Sequence, residues 1–495
     1  MEKKQIQTEL LHTTICAVIG ALALILGGAV SGWNHLIPAL FILLIAVASY
    51  FYIVCFVTDR NWLDLRALFA GVWLGTLGLA ALRLAEYQEP WLFKTWVLFG
   101  VTYALFLVGM SCGIIWGRRT VPAFLQKLSN LKLGKIRFSH KPNRLFAICI
   151  TVTGIGILCF VATALIRGYI PFFSDDITAY ATFYTPFHLF AIAASSISGL
   201  CYYCLTTQPL SIPKKVLLLL CIFYSTIIFP VLIVSRAIFA TSALSLATVV
   251  FYQHKKKFWV LVLCLVTMLG VYLGISTLRG YTDNQLEAYF QPATIIIDSQ
   301  SPDKGPSKPE DPEKGTTPSS DDESNPNGSN SLVTFTLSPK QAFLYTYLTV
   351  GHDNFNEVVQ NLDTYTYGAR QFKPFNVILR IDALDELAVP SKWYCVEPYL
   401  PTVSLFGDAY YDFHTVGVIV FAIFWSFVLG FIQSLYTSSG NPFALLLLGN
   451  TMTPVAMSFF ECWMSYFPHW MLWGTTLIFL FFTTVGWNSK KETVQ

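Results

Sequence analysis

The chain has 495 residues, of which 54% are hydrophobic and only 12% charged, with 40 Phe and a formal net charge of +3. Its mean hydropathy of +0.54 excludes an ordinary soluble domain. The small net charge calls for no nucleic-acid partner; its distribution along the chain carries more information.

Apolar runs of roughly 18 to 25 residues recur, each long enough to cross a ~30 Å hydrocarbon core as a helix. A backbone in lipid must satisfy its own hydrogen bonds, and no period-two barrel pattern is present, so the expected fold class is an all-α polytopic membrane protein. About twelve transmembrane helices are predicted, at 11–31, 36–57, 63–84, 91–116, 145–166, 186–206, 215–234, 237–253, 258–278, 414–436, 441–460 and 468–487. They divide the chain into a nine-span bundle (1–278), one large extracytoplasmic segment (279–413), and a last part with three spans and a cytoplasmic tail (414–495). The first span ends at "SGWNH" without a clear cleavage site and reads as retained. Span 63–84 is set apart by Asp64, Arg66 and Arg83 near its ends.

Nine of the eleven cysteines fall in predicted spans, where they act as small apolar fillers. The one-turn spacing of Cys201 and Cys204 is not a metal-ligand pattern. Cys395 and Cys462 fall outside the spans, leaving one disulfide open. The connection 118–144 has eight Lys or Arg and no acid, and "MEKK", "PKK", "HKKK" and "SKKE" fall on its side of a twelve-span topology. By the positive-inside rule that side is cytoplasmic and holds both termini.

On the opposite side, Arg236 lies at a tight turn in "FPVLIVSRAIFA", between spans seven and eight. Two readings stand: an anchor snorkelling to headgroups, or one member of a cluster with Arg167, before "GYIPFF", and Arg279, in "STLRGY". Residues 301–330 hold six prolines, seven acids and three lysines with no large apolar residue, so a disordered insertion is expected at about 299–335. An ordered amphipathic module of about 338–413 follows. Ser338, Pro339 and Gln341 form a helix-start signal, after which Phe343, Leu344, Tyr347 and Leu348 share one face. "GHDNFNE" gathers His352, Asp353, Asn354, Asn356 and Glu357; Arg370, Lys373 and Arg380 come next, and "FGDAYYDFHTVG" leads into span ten.

Aromatic and polar groups in this mixture suit carbohydrate, although aromatics also form interfacial belts. Arginine offers a planar fork for phosphate oxygens. Arg167, Arg236, Arg279, Arg370 and Arg380, with Asn354 and Tyr410, are therefore candidates for holding a lipid diphosphate and its sugars. If the diphosphate is a leaving group, such cations stabilise the charge that grows on it. A base for an acceptor hydroxyl would come from Asp175, Asp176, His352, Asp353, Asp408, Asp412 or His414; Asp412 also reads as a helix N-cap. No metal-ligand set has convincing spacing, and no cofactor is implied.

The succession "GYIPFFSDD", "SRAIFATSALSL", "RGY" and "FGDAYYDFHTVGVIVFAIFWSFVLGFI" resembles the Wzy-type oligosaccharide repeat unit polymerases of bacterial surface polysaccharides. Their loose patterns include G-x-x-P-x-F, a Ser-Arg turn and Tyr-x-Asp-Phe-Gly-x-x-Gly. The likeness extends over most of the chain in short motifs. It implies a GT-C-like architecture in the bacterial cytoplasmic membrane and polymerisation of polyprenyl-diphosphate-linked repeat units at its outer face, with release of polyprenyl diphosphate. Membrane lipid, a chain-length regulator and a flippase would be partners. His414 departs from the pattern, standing where Gly is usual. Arg-x10-Gly motifs are not met by Arg236, Arg279, Arg370 or Arg380, and no histidine meets the ligase pattern His-x6-Leu-Gly. An O-antigen-type ligase or other outer-leaflet transferase, and a lipid-linked oligosaccharide transporter, remain the alternatives.

Overall fold

The computed structural model describes residues 2–130, 142–174, 179–254, 294–296, 334–336 and 338–484, apart from a few single positions, and scattered helical positions between 258 and 274. Its helices are α1 (Glu2–Val30), α2 (Leu36–Tyr52), α3 (Leu65–Ala81), α4 (Phe93–Asn130), α5 (Pro142–Arg167), α6 (Ala179–Thr182), α7 (Pro186–Ser195), α8 (Ser198–Thr207), α9 (Ile212–Phe223), α10 (Phe229–Leu232), α11 (Arg236–Gln253), α12 (Pro339–Asn361), α13 (Ala369–Leu379), α14 (Asp382–Ala388), α15 (Gly407–Ser439), α16 (Pro442–Ala456) and α17 (Phe467–Thr484). Strands β1 (Thr294–Ile296) and β2 (Thr334–Thr336) pair antiparallel, with Ile295 opposite Phe335. Apart from its last positions in β2, the predicted insertion lies outside the described residues.

Among the described residues, seven helical segments are long and apolar enough to cross a membrane: Ile6–Val30, Leu36–Val57, Phe93–Leu128, Asn143–Arg167, Pro186–Thr207, Ile212–Leu232 and Gly407–Ser439. The protein is a polytopic helical membrane protein. The spans expected at 63–84 and 441–460 are the shorter apolar helices α3 and α16, and those at 237–253 and 468–487 are α11 and α17. Most of the span expected at 258–278 lies outside the described residues.

Breaks within these segments have local causes. Between α7 and α8, Ser195 and Ser196 turn their hydroxyls back onto the carbonyls of Ile192 and Ala193, at 2.7 and 3.0 Å, which competes with the helical ladder. After α9 the backbone widens into a π turn at Tyr224–Ile228, just before Pro230, which has no N–H to donate.

The central seam is α4 against α15. Gly109, Gly113 and Gly117 on α4 meet Ser426, Phe427 and Ser434 of α15, while Gly430 of α15 lies on Met110. A Cβ at Gly113 would come within 2.1 Å of the Phe427 carbonyl, and one at Gly430 within 2.0 Å of the Met110 carbonyl. Small residues four apart on both helices thus bring the backbones together, as packing in lipid requires. At one end of the bundle, Arg66 is fully buried and bonded to Asp64 (2.9 and 3.0 Å), Glu9 (2.8 Å) and Ser111 (3.2 Å). Gln433 donates to Asp64 at 2.6 Å, and Arg118 reaches Glu9 at 2.6 Å. Span 63–84 therefore keeps Asp64 and Arg66 by pairing them across α1, α3, α4 and α15.

The opposite end carries α12 to α14. The expected start of α12 is present: Ser338 accepts from Gln341 N–H while Gln341 accepts from Ser338 N–H, with Pro339 at the first position. Its buried side differs from the expected apolar face. Ala342, Tyr345, Thr349, Val350, His352 and Asp353 face inward, while Leu344 is exposed and Phe343, Tyr347 and Leu348 are half-buried. Polar partners on α3 and α4 draw the polar side in.

Candidate active site

The "GHDNFNE" side chains hold the module to the bundle. Asp353 accepts from Gln88 Nε2 and Trp91 Nε1, each at 2.8 Å. Asn356 accepts from Leu92 N–H and Thr95 Oγ1 at 3.0 and 2.8 Å. Asn354 donates to the carbonyls of Leu400 and Thr402 and accepts from Val396 N–H. His352 is sealed between Trp73, Phe99 and Trp91, with Nε2 2.9 Å from Thr76 Oγ1. Burial pulls its imidazole down to about 3. Burial pushes the Asp353 carboxyl up to about 7, against the opposing hydrogen bonds from Gln88 and Trp91 and the charge of Arg83. These four polar side chains, expected to face a sugar, face the protein interior instead, because the 82–92 connection, Thr76 of α3, Thr95 of α4 and the 396–402 segment supply matching donors and acceptors.

Asp412 caps a helix, although not its own. Its Oδ1 accepts from Thr366 Oγ1 (2.6 Å) and Arg370 N–H (3.2 Å), and Oδ2 from Gln371 N–H (3.0 Å). The carboxylate thereby satisfies two N–H groups at the start of α13, preceded by Gly368 in the left-handed region. Two residues on, His414 has φ 49° and ψ −140°, which kinks α15 at Phe413–His414. This conformation favours glycine, so His414 is held there under backbone strain. Its ring stacks on Tyr410 at 4.8 Å, and the Tyr410 hydroxyl accepts from Lys94 Nζ at 2.8 Å.

A cavity of about 390 Å³ opens beside this capped helix. Arg370 and Lys373 of α13 line it, together with Asp408, Glu461, Tyr184 and Tyr466. Arg370 Nε and Nη2 both contact Asp408 Oδ1 at 2.6 Å, and its guanidinium lies 4.6 Å from the Tyr411 ring centroid. Lys373 is exposed. Glu461 is open to the cavity and otherwise ringed by protein. That surrounding burial, with Asp408 adding to it, pushes its carboxyl up to about 7, while Lys373 and Arg370 oppose the shift. The next residue of α13, Gln371, lines a second cavity of about 480 Å³ with Val416, Val420 and Phe424, which are exposed on α15. One short helix thus separates a charged chamber from an apolar groove.

The predicted cations do not all meet at the charged chamber. Arg370 lies in its wall. Arg167 donates to the Tyr184 carbonyl, through Nε at 3.0 Å and also through Nη2, and so adjoins the wall. Arg236 begins α11 behind Ser235, whose hydroxyl accepts from Ile238 N–H, and it lies 5.5 Å from the ring centroids of both Phe343 and Tyr347. Tyr347 in turn stacks on Phe460 at 4.2 Å, next to Glu461. Arg380 is exposed at the end of α13, in the left-handed region. Arg279, Asp175 and Asp176 lie outside the described residues. Neither Cys395 nor Cys462 is in a disulfide. Glu461, absent from the sequence-based candidates, had one signal: it is a lone acid at the end of an apolar run, in "FFECW". Among the described residues no group of three or more His, Cys, Asp and Glu could hold a metal ion.

The fold and cavities define a helical membrane protein with a charged chamber at one end of its bundle and an apolar groove beside it. No family model, curated protein or solved structure matches the chain.

Proposed function

We propose that the protein is a glycosyltransferase that polymerises polyprenyl-diphosphate-linked oligosaccharide repeat units. In this reading the chain has twelve spans and lies in the bacterial cytoplasmic membrane, with both termini on the basic, cytoplasmic side and the α12–α14 end outside. The observation that carries the reading is the chamber itself, where Arg370 and Lys373 share a wall with two carboxylates and with the exposed rings of Tyr184 and Tyr466. The cations suit diphosphate oxygens and would stabilise the leaving group as its charge grows. The tyrosines suit sugar faces, and the apolar groove along α15 would take the isoprenoid chain.

The test is reconstitution of the purified protein with lipid-linked repeat units, read as a ladder of chain lengths. Lys373→Ala should lower the polymerisation rate roughly tenfold or more, and Arg236→Ala should leave single units. Full-length ladders from both variants would refute the assignment. A ligase would instead attach preformed long chains without lengthening them, and a transporter would move single units across the bilayer without joining them.

A further inference from the structure

Four acidic or imidazole groups named as candidate bases already have other partners. Asp412 is bonded to Thr366 and the start of α13; Asp353 and His352 are sealed beneath α12; Asp408 is paired with Arg370 at 2.6 Å. Glu461 differs. It lies in the chamber wall, and among the described residues its carboxyl has no ion pair or hydrogen bond. It follows the Met457–Phe460 turn, which α12 fixes closely: a Cβ at Gly351 would come within 2.3 Å of the Phe459 carbonyl, and Tyr347 stacks on Phe460. The residue is thus held by packed backbone on one side and open to the chamber on the other. A group that exchanges a proton with substrate needs this combination of fixed position and access.

We propose that Glu461 is the general base of the chamber, removing the proton from the acceptor sugar hydroxyl; this rests on the polymerase reading above. The hydroxyl oxygen forms a bond to the donor's anomeric carbon while that carbon's bond to the phosphate oxygen breaks. The bonding electron pair leaves with the polyprenyl diphosphate, beside Arg370 and Lys373. The hydroxyl proton passes to a Glu461 carboxylate oxygen and from there to solvent in the open chamber. The step is redox-neutral and balances with the donor and the acceptor alone. Asp408 keeps Arg370 in place, so the chamber divides its two carboxylates between a positioning role and a proton-accepting one.

The experiment compares wild type, Glu461→Gln and Glu461→Asp in nanodiscs, with lipid-linked oligosaccharide extracted from cells lacking the protein as substrate. Binding of farnesyl diphosphate is measured separately. Glu461→Gln should slow ladder growth by roughly 100-fold or more with farnesyl diphosphate affinity within about twofold, since the amide cannot take the proton and the cations are untouched. Glu461→Asp should retain measurable activity with the acid limb of its pH profile displaced. If Glu461→Gln fails to fold, shown by its melting curve, the displaced limb of Glu461→Asp carries the test. Ladder growth in Glu461→Gln within threefold of wild type, or an unmoved limb and unchanged rate in Glu461→Asp, overturns the proposal and leaves the polymerase reading standing. A wild-type protein that binds farnesyl diphosphate yet builds no ladder overturns both.

Discussion

Replacing Asp412 by Asn separates a cap from a catalyst. Its carboxylate accepts two backbone N–H groups of α13 and the Thr366 hydroxyl, and it is fully buried. Thr366 can rotate its hydroxyl, whereas Arg370 and Gln371 N–H cannot turn away. Asparagine keeps one acceptor oxygen and presents an NH2 to the other donor, so one buried N–H loses its partner and the charge at the helix start is lost. Charge-assisted bonds contribute about 1.5–3 kcal/mol each, and the charge–dipole interaction adds about 1 kcal/mol, giving roughly 3 kcal/mol for the substitution. At about 1.4 kcal/mol per factor of ten, the amides of α13 should then exchange hydrogen roughly 100-fold faster. Hydrogen exchange by mass spectrometry in nanodiscs reads this directly over 366–380. Wild-type protection of that segment in an inactive Asp412→Asn protein would refute the cap and return Asp412 to the catalytic candidates.

Five further substitutions, two of them controls, probe the scaffold. Arg66→Met strands the buried carboxylates of Asp64 and Glu9 and should cost about 3–5 kcal/mol, abolishing the folded fraction in detergent, whereas Arg118→Met, at a half-exposed member of the network, should shift the melting temperature by only a few degrees. Gly113→Leu should prevent α4 from meeting α15, while Gly474→Leu, with no atom near the added Cβ, should fold normally; size-exclusion profiles compare the two. His352 has a folded-state pKa below its unfolded value, so its contribution to stability is present above about pH 6.5 and is lost as pH falls toward 3, at up to ~1.4 kcal/mol per unit. The opposite shift of Asp353 gives stability present below 3.8 and lost as pH rises through about 7. His352→Gln should therefore melt lower at pH 7.5 but lose less on acidification to pH 5; parallel melting curves for the two proteins would contradict this.

What the sequence exposed was local. Span-length hydropathy, the Ser338–Gln341 capping box and the reversal at Ser235–Arg236 each depend on residues within one or two turns, and each has its counterpart in the structure. The roles of the polar residues were hidden because their partners are distant. Asp353 meets Gln88 across 265 positions, and Asp412 meets Gln371 across 41. Read alone, "GHDNFNE" looks like a wet surface, since nothing near it in sequence supplies its donors and acceptors. Nothing near His414 in sequence shows that its backbone takes a conformation that favours glycine; only its dihedral angles do.

Arg236 shows how the two scales meet. The reversal before it is sharp enough to put Val234, a β-branched residue, at φ 51°, an uncommon conformation that must be held by its surroundings. Ser235 caps α11, and the guanidinium that follows lies against Phe343 and Tyr347 instead of reaching into the chamber. Through Tyr347 and Phe460 that contact ends at the turn carrying Glu461. A planar cation beside two rings is a specific arrangement that lysine would not reproduce, so Arg236 acts here by fixing α12 and, through it, the chamber wall. In the proposed reaction its work would be positional, and direct contact with the diphosphate would fall to Arg370 and Lys373, which line the cavity.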